Sequence, residues 1–337
     1  MQPVRYIAKG NEHKVCKLLR SIYGLKQASF SWNQRFDQVI KTFGFEQNND
    51  EPCAYKCLGD GNENLGEANF VLGIRILRNR KSKVIALSKT SYIDKILEHY
   101  AMTNSKKGNQ PFVSGYHLSL EDCPKTVKER ENMRKVPYVS VVESLMYAMH
   151  TPRYLFCSGA EREIICLCIP KETLLPIEYT DSDFQTYHDL RKSTSSYVFF
   201  LSDGSIVWRS VKQTCTPDST MKVEYVAASE ATKEAIWLRK FLRDLEVIPD
   251  MEKAITLYCD CSATITNTKE ARNHKRTKHI DQKYHIIKEV VADGIVDVVK
   301  VTSEDNLADL FTNTILARSF EEHMESMGMQ NMAYLFQ

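Results

Sequence analysis

The chain has 337 residues, 43% of them hydrophobic, with 45 basic and 43 acidic side chains and a formal net charge of +2. Such apolar content suffices for one large or two modest cores and excludes global disorder, while the near-balance of charge leaves any attraction to nucleic acid to local patches. No apolar run reaches membrane-spanning length, and "MQPVRYIAKGNEHKVCK" lacks the apolar stretch of a signal peptide, so the expectation is a cytoplasmic or nuclear protein that is not secreted.

The first periodic segment is residues 14–48, where Trp32, Phe36, Val39, Ile40 and Phe43 fall on one helical stripe that wants a partner. Glycine and asparagine then break the pattern over 54–66. A strand is expected in "FVLGIRIL" (70–77), joined through the basic "RNRKSK" turn to "VIALSK", with a short amphipathic helix in "SYIDKILEHYAM". Residues 103–135 turn polar and read as a linker or loose loop, and "PYVSVVESLMYAMH" (137–150) reads as a helix. Residues 151–175 have no sustained period and are expected to form an irregular junction with a short strand at 164–169.

The second half is more regular. Residues 177–181, "SSYVFFL" and "SIVWRS" predict three strands in a row, the last two joined at Asp203-Gly204. A long helix is expected from near Ser219 to about Leu245, its stripe formed by Val223, Ala227, Leu238, Phe241, Leu242 and Leu245. "AITLYCD" (254–260) predicts a strand, "HIDQKYHIIKEVVADG" a helix closed by Gly294, "IVDVVKVT" a strand, and "SEDNLADLFTNTI" a last helix with Ser303 as N-cap. The order βββαβαβα predicts a mixed sheet with helices against it.

Ten cysteines form no CxxC, and their close pairs, Cys53/Cys57, Cys166/Cys168 and Cys259/Cys261, lack the spacing of a zinc ribbon or redox motif; they read as reduced, mostly buried thiols. His274, His279 and His285 include no i,i+4 pair for a helical zinc site. The carboxylates are more informative. Asp181 and Asp183 end the first of the three strands, Glu224 lies in the first turns of the long helix, Asp260 ends the next strand and Asp309 begins the last helix. Singly, each acid is more often a cap or a solvated side chain. Together, Asp181, Glu224, Asp260 and Asp309 could meet at one sheet edge and seat two divalent cations about 4 Å apart, since hard cations prefer oxygen ligands.

The blocks "YTDSDF", "RKSTSSYVFFL", "IVWRSVKQ", "EYVAASEATKEAIWLR", "LYCDCSA", "RTKHIDQKYH" and "NLADLFT" resemble, in order, the ribonuclease H domain of copia-type LTR retrotransposon polyproteins. "CKLLRSIYGLKQASFSWNQRFDQVIKTFGF", "LGEANFVLGIRI" and "PYVSVVESLMYAM" resemble parts of the reverse transcriptase of the same polyprotein. The resemblance implies an α/β (α+β) fold, a ribonuclease H-like mixed sheet flanked by helices and preceded by a truncated reverse transcriptase palm and thumb fragment. It divides the chain into a partial palm (1–58), a partial palm and thumb connection (59–150), the junction (151–175), a ribonuclease H-like domain (176–320) and a tail (321–337).

The family's metal-binding acids fall on Asp181, Glu224, Asp260 and Asp309, with Asp183 a neighbour of weaker claim. The implied reaction is hydrolysis of the RNA strand of an RNA–DNA hybrid with two Mg2+ ions, Mn2+ being a substitute. Phosphate contacts are expected from Arg191, Lys192, Arg209, Lys212, Lys275, Arg276 and Lys278. Lys26 and Gln27 sit where the family has nucleotide-pocket residues.

Several positions depart from the family. No adjacent aspartate pair occurs between "EPCAYKC" and "LGEANF", and Asp60 alone between glycines does not replace it; the chain also begins after the block that carries the family's earlier palm acid. Polymerase activity is therefore expected to be lost. Residues 151–175 match nothing in the family, Ser196 stands at a usual glycine, Lys222 at a usual acid, and "CDCSA" lacks the amides after Asp260. These departures suggest a degenerate copy and leave a non-catalytic nucleic-acid-binding remnant as the alternative.

Overall fold

The computed structural model describes residues 26–48, 52–57, 69–71, 73–79, 81, 84–105, 119–150, 164–168, 175–187, 189–202, 204–244, 248, 251, 253–270 and 285–330. Two compact units divide the chain, Met1–Asn64 and Leu65–Gln337.

In the first unit, helix α1 (Lys26–Thr42) is followed by strands β1 (Phe45–Gln47) and β2 (Tyr55–Cys57), paired antiparallel. Gly44, at φ +81°, supplies the left-handed residue that turns the chain out of the helix. Asp37 on α1 accepts hydrogen bonds from Lys41 at 2.9 Å and from the Tyr55 hydroxyl at 3.0 Å, tying helix to hairpin. Phe36 meets Tyr55 edge-on and stacks on Trp32, and Ile40 is half-buried, but much of the stripe faces solvent: Trp32 is 66% exposed and Phe43 70%.

The second unit opens with β3 (Phe70–Val71), β4 (Ile74–Asn79) and β5 (Val84–Ser88), an antiparallel run in which Asn79 faces Val84 across the expected basic turn. Helix α2 (Thr90–His99) follows. The polar segment expected to be a linker holds a helix, α3 (Val127–Arg134), because Thr126 and Glu129 form a capping box that satisfies the first free amides. None of its residues is buried, so the polar composition reflects exposure rather than absence of structure. Helix α4 (Tyr138–His150) is held to the end of β5 by Lys89, whose buried ammonium donates to the Tyr147 and Ala148 carbonyls at 2.9 and 3.3 Å. Strand β6 (Ile164–Cys168) pairs antiparallel with β5; residues 151–163 and 169–174 of the junction lie outside the described residues.

The central sheet is built from β7 (Pro176–Ser182), β8 (Thr194–Leu201) and β9 (Gly204–Lys212), an antiparallel meander. After helix α5 (Thr220–Asp244), strand β10 (Ile255–Cys259) lies parallel to β7. Helices α6 (Ser262–Lys269) and α7 (Ile286–Ala292) then carry the chain to β11 (Val296–Lys300), parallel to β10, so that the order is β11-β10-β7-β8-β9. This is the expected mixed α/β arrangement, with α6 an additional helix. Strand β8 does not alternate because both its faces are covered. Tyr197, Phe199 and Leu201 pack with Tyr225, Ala228 and Leu238 of α5, while Val198 and Phe200 pack with Leu307, Leu310, Met324 and Met327. The β8–β9 turn passes through Ser202 at φ +58°; Asp203 lies outside the described residues.

"SEDNLADLFTNTI" is not a helix. Thr302, not Ser303, is the cap, accepting from the Asp305 amide, and Asn306 turns its side-chain oxygen onto the Ala308 amide at 3.2 Å. That local bond competes with helical pairing, so the segment forms 3-10 turns at Ser303–Asp305 and Asp309–Phe311. Helix α8 (Ala317–Ser326) and strand β12 (Met329–Gln330) follow, and β12 pairs antiparallel with β6. The segment read as a tail thus supplies an edge strand of the β12-β6-β5-β4-β3 sheet.

Candidate metal centre

Strands β7 and β10 run parallel, so their C-terminal ends lie side by side, placing Asp181 next to the start of the Asp260 loop. The meander ends β9 at the same edge, and α5 therefore begins there, bringing in Glu224 from its second turn. The 303–313 segment folds back over this edge and is fastened by Asn306, which donates to the Thr180 carbonyl at 3.1 Å, and by Ser196, which donates to the Ala308 carbonyl at 2.8 Å. Asp309 arrives with it.

Asp181, 4% exposed, accepts from Asn306 at 3.3 Å, from the Thr312 hydroxyl and from Asn313 at 3.5 Å. The Asn313 amide also donates to Asp309, and Ser303 donates to Asp260 at 2.7 Å. Glu224, 8% exposed, accepts the Ser182 amide on one oxygen at 3.2 Å, and its other oxygen has no partner.

Burial pushes Asp181 up to about 7, the Thr312 bond opposing and the Asp309 and Asp260 charges adding to the rise. Burial raises Glu224 well above the carboxylate range, with Asp181, Asp260 and Cys261 adding to it. Asp309 is raised by burial, pulled down by Asn313 and His323, and raised by Asp260. Asp260 thus repels Asp181, Glu224 and Asp309, and Asp181 repels Glu224 and Asp309, so like charges crowd this edge. Crowded, desolvated carboxylates with a free oxygen suit a divalent cation, whose charge would offset the repulsion.

Asp183 is buried but differently employed: it accepts the Thr194 amide at 2.7 Å and the Thr186 hydroxyl at 2.5 Å, so both its oxygens hold the β7–β8 turn. Lys222 pairs with Asp218 at 2.6 Å and does not reach Glu224.

Of the basic residues, Arg191 and Lys192 lie in the β7–β8 turn, Arg191 exposed at φ +51° and Lys192 donating to the Thr214 carbonyl at 3.2 Å. Lys212 ends β9 over the ring of Tyr187, 2.9 Å from its centre, and Arg209 is exposed on β9. Both the turn and Lys212 belong to the Asp181 end of the sheet. Lys275, Arg276, Lys278, His274 and His279 lie outside the described residues, as do the side chains of Lys26 and Gln27 at the start of α1. His285 is within hydrogen-bonding distance of the Tyr225 hydroxyl at 3.1 Å.

Sequence reasoning passed over the groups that hold the acids: Gln213, Asn306, Thr312 and Asn313. The amide nitrogen of buried Gln213 lies 2.6 Å from Ser195, 3.0 Å from the Val223 carbonyl and 3.1 Å from Ser182, joining β8, α5 and β7 beside Glu224. Amides and a hydroxyl flanking Asp309 in "NLADLFTN" were the available signal.

A model of the family Reverse transcriptase (RNA-dependent DNA polymerase) matches residues 1–65. The Pol polyprotein of transposon TNT 1-94 from Nicotiana tabacum is 35% identical over 391 residues, covering 98% of this chain and 29% of the relative. That of transposon RE1 from Arabidopsis thaliana is 24% identical, covering 97% of this chain and 26% of the relative. The chain thus spans less than a third of the length of each of these two relatives. Because the 391-residue alignment exceeds the 337 residues of the chain, stretches of the tobacco relative have no counterpart here. Among solved structures, the N-terminal RNase H domain of a Mycobacterium tuberculosis protein, as a maltose-binding-protein fusion, matches at TM-score 0.30 and 10% identity, covering 46% of this chain and 99% of that one. LC11-RNase H1 in complex with RNA/DNA hybrid matches at TM-score 0.28 and 16% identity, covering 41% and 93%. By the match that runs through nearly its whole length, the chain belongs to the retrovirus-related Pol polyproteins of copia-type transposons.

Proposed function

We propose that the second half of the chain is a ribonuclease H-type endonuclease that hydrolyses the RNA strand of RNA–DNA hybrids. The observation that carries this reading is the gathering of Asp181, Glu224, Asp260 and the 309 turn at one sheet edge, with raised carboxylates and a free Glu224 oxygen. These four residues would hold two Mg2+ ions, or Mn2+ in their place, which when bound supply an activated water and charge stabilisation at the leaving oxygen. The chain's own groups orient the acids: Asn306, Thr312 and Asn313 hold Asp181, and the Ser182 amide fixes one oxygen of Glu224. Arg191, Lys192, Arg209 and Lys212 would take backbone phosphates, so binding weakens as salt rises; the RNA strand would be distinguished by its 2′-hydroxyls.

In this reading residues 176–320 form the nuclease domain and 1–150 the remains of a reverse transcriptase palm and thumb. Polymerase activity is lost, since no adjacent aspartate pair stands between residues 52 and 70. The test is incubation of the full chain with a hybrid duplex and Mg2+, beside an Asp260→Asn control. Cleavage of the RNA strand by the wild type alone supports the nuclease; salt-sensitive binding with no cleavage above the control leaves the non-catalytic remnant.

A further inference from the structure

One feature of the metal centre lies outside the set of four acids. Glu224, Cys259 and Asp260 each offer a ligand atom, and these three atoms lie within 4.8 Å of one another. Cys259 is the last residue of β10 and is fully buried, so its sulfur is fixed by the strand rather than free to swing. Among the described residues its thiol has only the Cys261 carbonyl as a hydrogen-bonding neighbour, at a long 4.0 Å. The Glu224 oxygen without a partner belongs to a side chain 8% exposed, an independent sign that a ligand is wanted at this point. Asp260 is half-buried and forms the side from which an ion could enter.

Ligand chemistry separates the two kinds of ion this edge could take. Mg2+ and Mn2+ draw on oxygens and have little use for a thiol, whereas zinc-class ions bind thiolate, carboxylate and water together, with metal–ligand bonds of about 2.0 to 2.3 Å. In a tetrahedral set such bonds put ligand atoms about 3.5 Å apart, a contraction that small rotations of the Glu224 and Asp260 carboxylates about the fixed sulfur would supply. We propose that Glu224, Cys259 and Asp260 form a site for one thiophilic divalent cation of the zinc class, overlapping the seat of the hard cations and excluding them. The inference rests on the reading of this edge as a metal centre and adds its regulation: two of the four acids are shared, so a zinc-class ion and a Mg2+ pair compete. On binding, the Cys259 S–H bond breaks, a sulfur–metal bond forms and the proton leaves to solvent, with no change of oxidation state.

The experiment titrates the metal-free full chain with Cd2+, read by ultraviolet sulfur-to-cadmium charge transfer and by proton release in weak buffer. With ten cysteines in the chain, the measured quantity is the difference between wild type and variants. One Cd2+ per chain is expected to be lost, or weakened at least tenfold, in Cys259→Ser, and retained in Cys261→Ser. Asp260→Asn, at a half-exposed position and with every thiol intact, should weaken the same step at least tenfold; this arm holds even where a change at buried Cys259 prevents folding. Titrations of the wild type and Asp260→Asn that superimpose overturn the proposal, as does a band that survives in a folded Cys259→Ser protein. Hybrid cleavage is scored separately: a Cys259-dependent band without cleavage removes only the nuclease, and cleavage without the band removes only this site.

Discussion

Glu178 lies in the middle of β7, fully buried, and neither of its carboxylate oxygens has a hydrogen-bond partner. Burial, and then the nearby Glu234 charge, hold it well above the ordinary carboxylate range, so folding favours its protonated form. The unfolded chain releases this proton near the ordinary glutamate value of 4.5, which makes Glu178 cost stability as pH rises above that value, up to its folded pKa. Glu178→Met should therefore raise stability at neutral pH by about 1 to 3 kcal/mol and flatten its fall with pH, as read from urea midpoints at mildly acidic and neutral pH. Asp181 follows the same sign over a narrower window: with its folded pKa at about 7 against 3.8 unfolded, its cost grows between those values. A cation that binds the ionised form should reverse this. Mg2+ is expected to raise the melting temperature more above pH 7 than below pH 6, and Asp181→Asn should remove the difference.

Gln213 shows how much of the centre depends on joints between elements. Replacing it with alanine strips the shared donor from β7, β8 and the start of α5. The expected loss is about 2 kcal/mol, measured by chemical denaturation, together with faster amide exchange in the first turns of α5. Strands β7 to β11 and α5 were legible in the sequence because period and length agree there: "SSYVFFL" and "IVDVVKVT" are apolar runs of strand length, and Asp203-Gly204 marks the turn. Asp181, Glu224 and Asp260 could be singled out because each falls at an element's end. The turns at 303–311 were misread as helix, since the Asn306 side chain competes for a backbone amide and composition does not reveal which bond wins. Helix α3 was missed because its stability comes from two side-chain caps rather than from an apolar stripe. Gln213 and Asn306 were passed over because buried amides are recognised by their partners, which are distant in sequence.

Over the whole molecule, apolar surface is unevenly settled. The central sheet is covered on both faces, whereas in the unit Met1–Asn64 the stripe along α1 leaves Trp32, Phe36, Val39 and Phe43 exposed. Contiguous apolar surface of this kind promotes association. The isolated chain should self-associate in a concentration-dependent way, and the double variant Trp32→Lys, Phe43→Lys should shift it toward the monomer in light scattering without altering the melting of the central sheet. Strand β12 carries a different consequence. It completes a sheet whose other strands begin at Phe70, and Ser205 donates to the Met327 carbonyl beside it, so Met329 and Gln330 close a structure begun some 250 positions earlier. On a ribosome, β6 must wait with an unpaired edge until Met329 has been translated, and a stop codon shortly before Met329 would leave that edge open for good in every copy made.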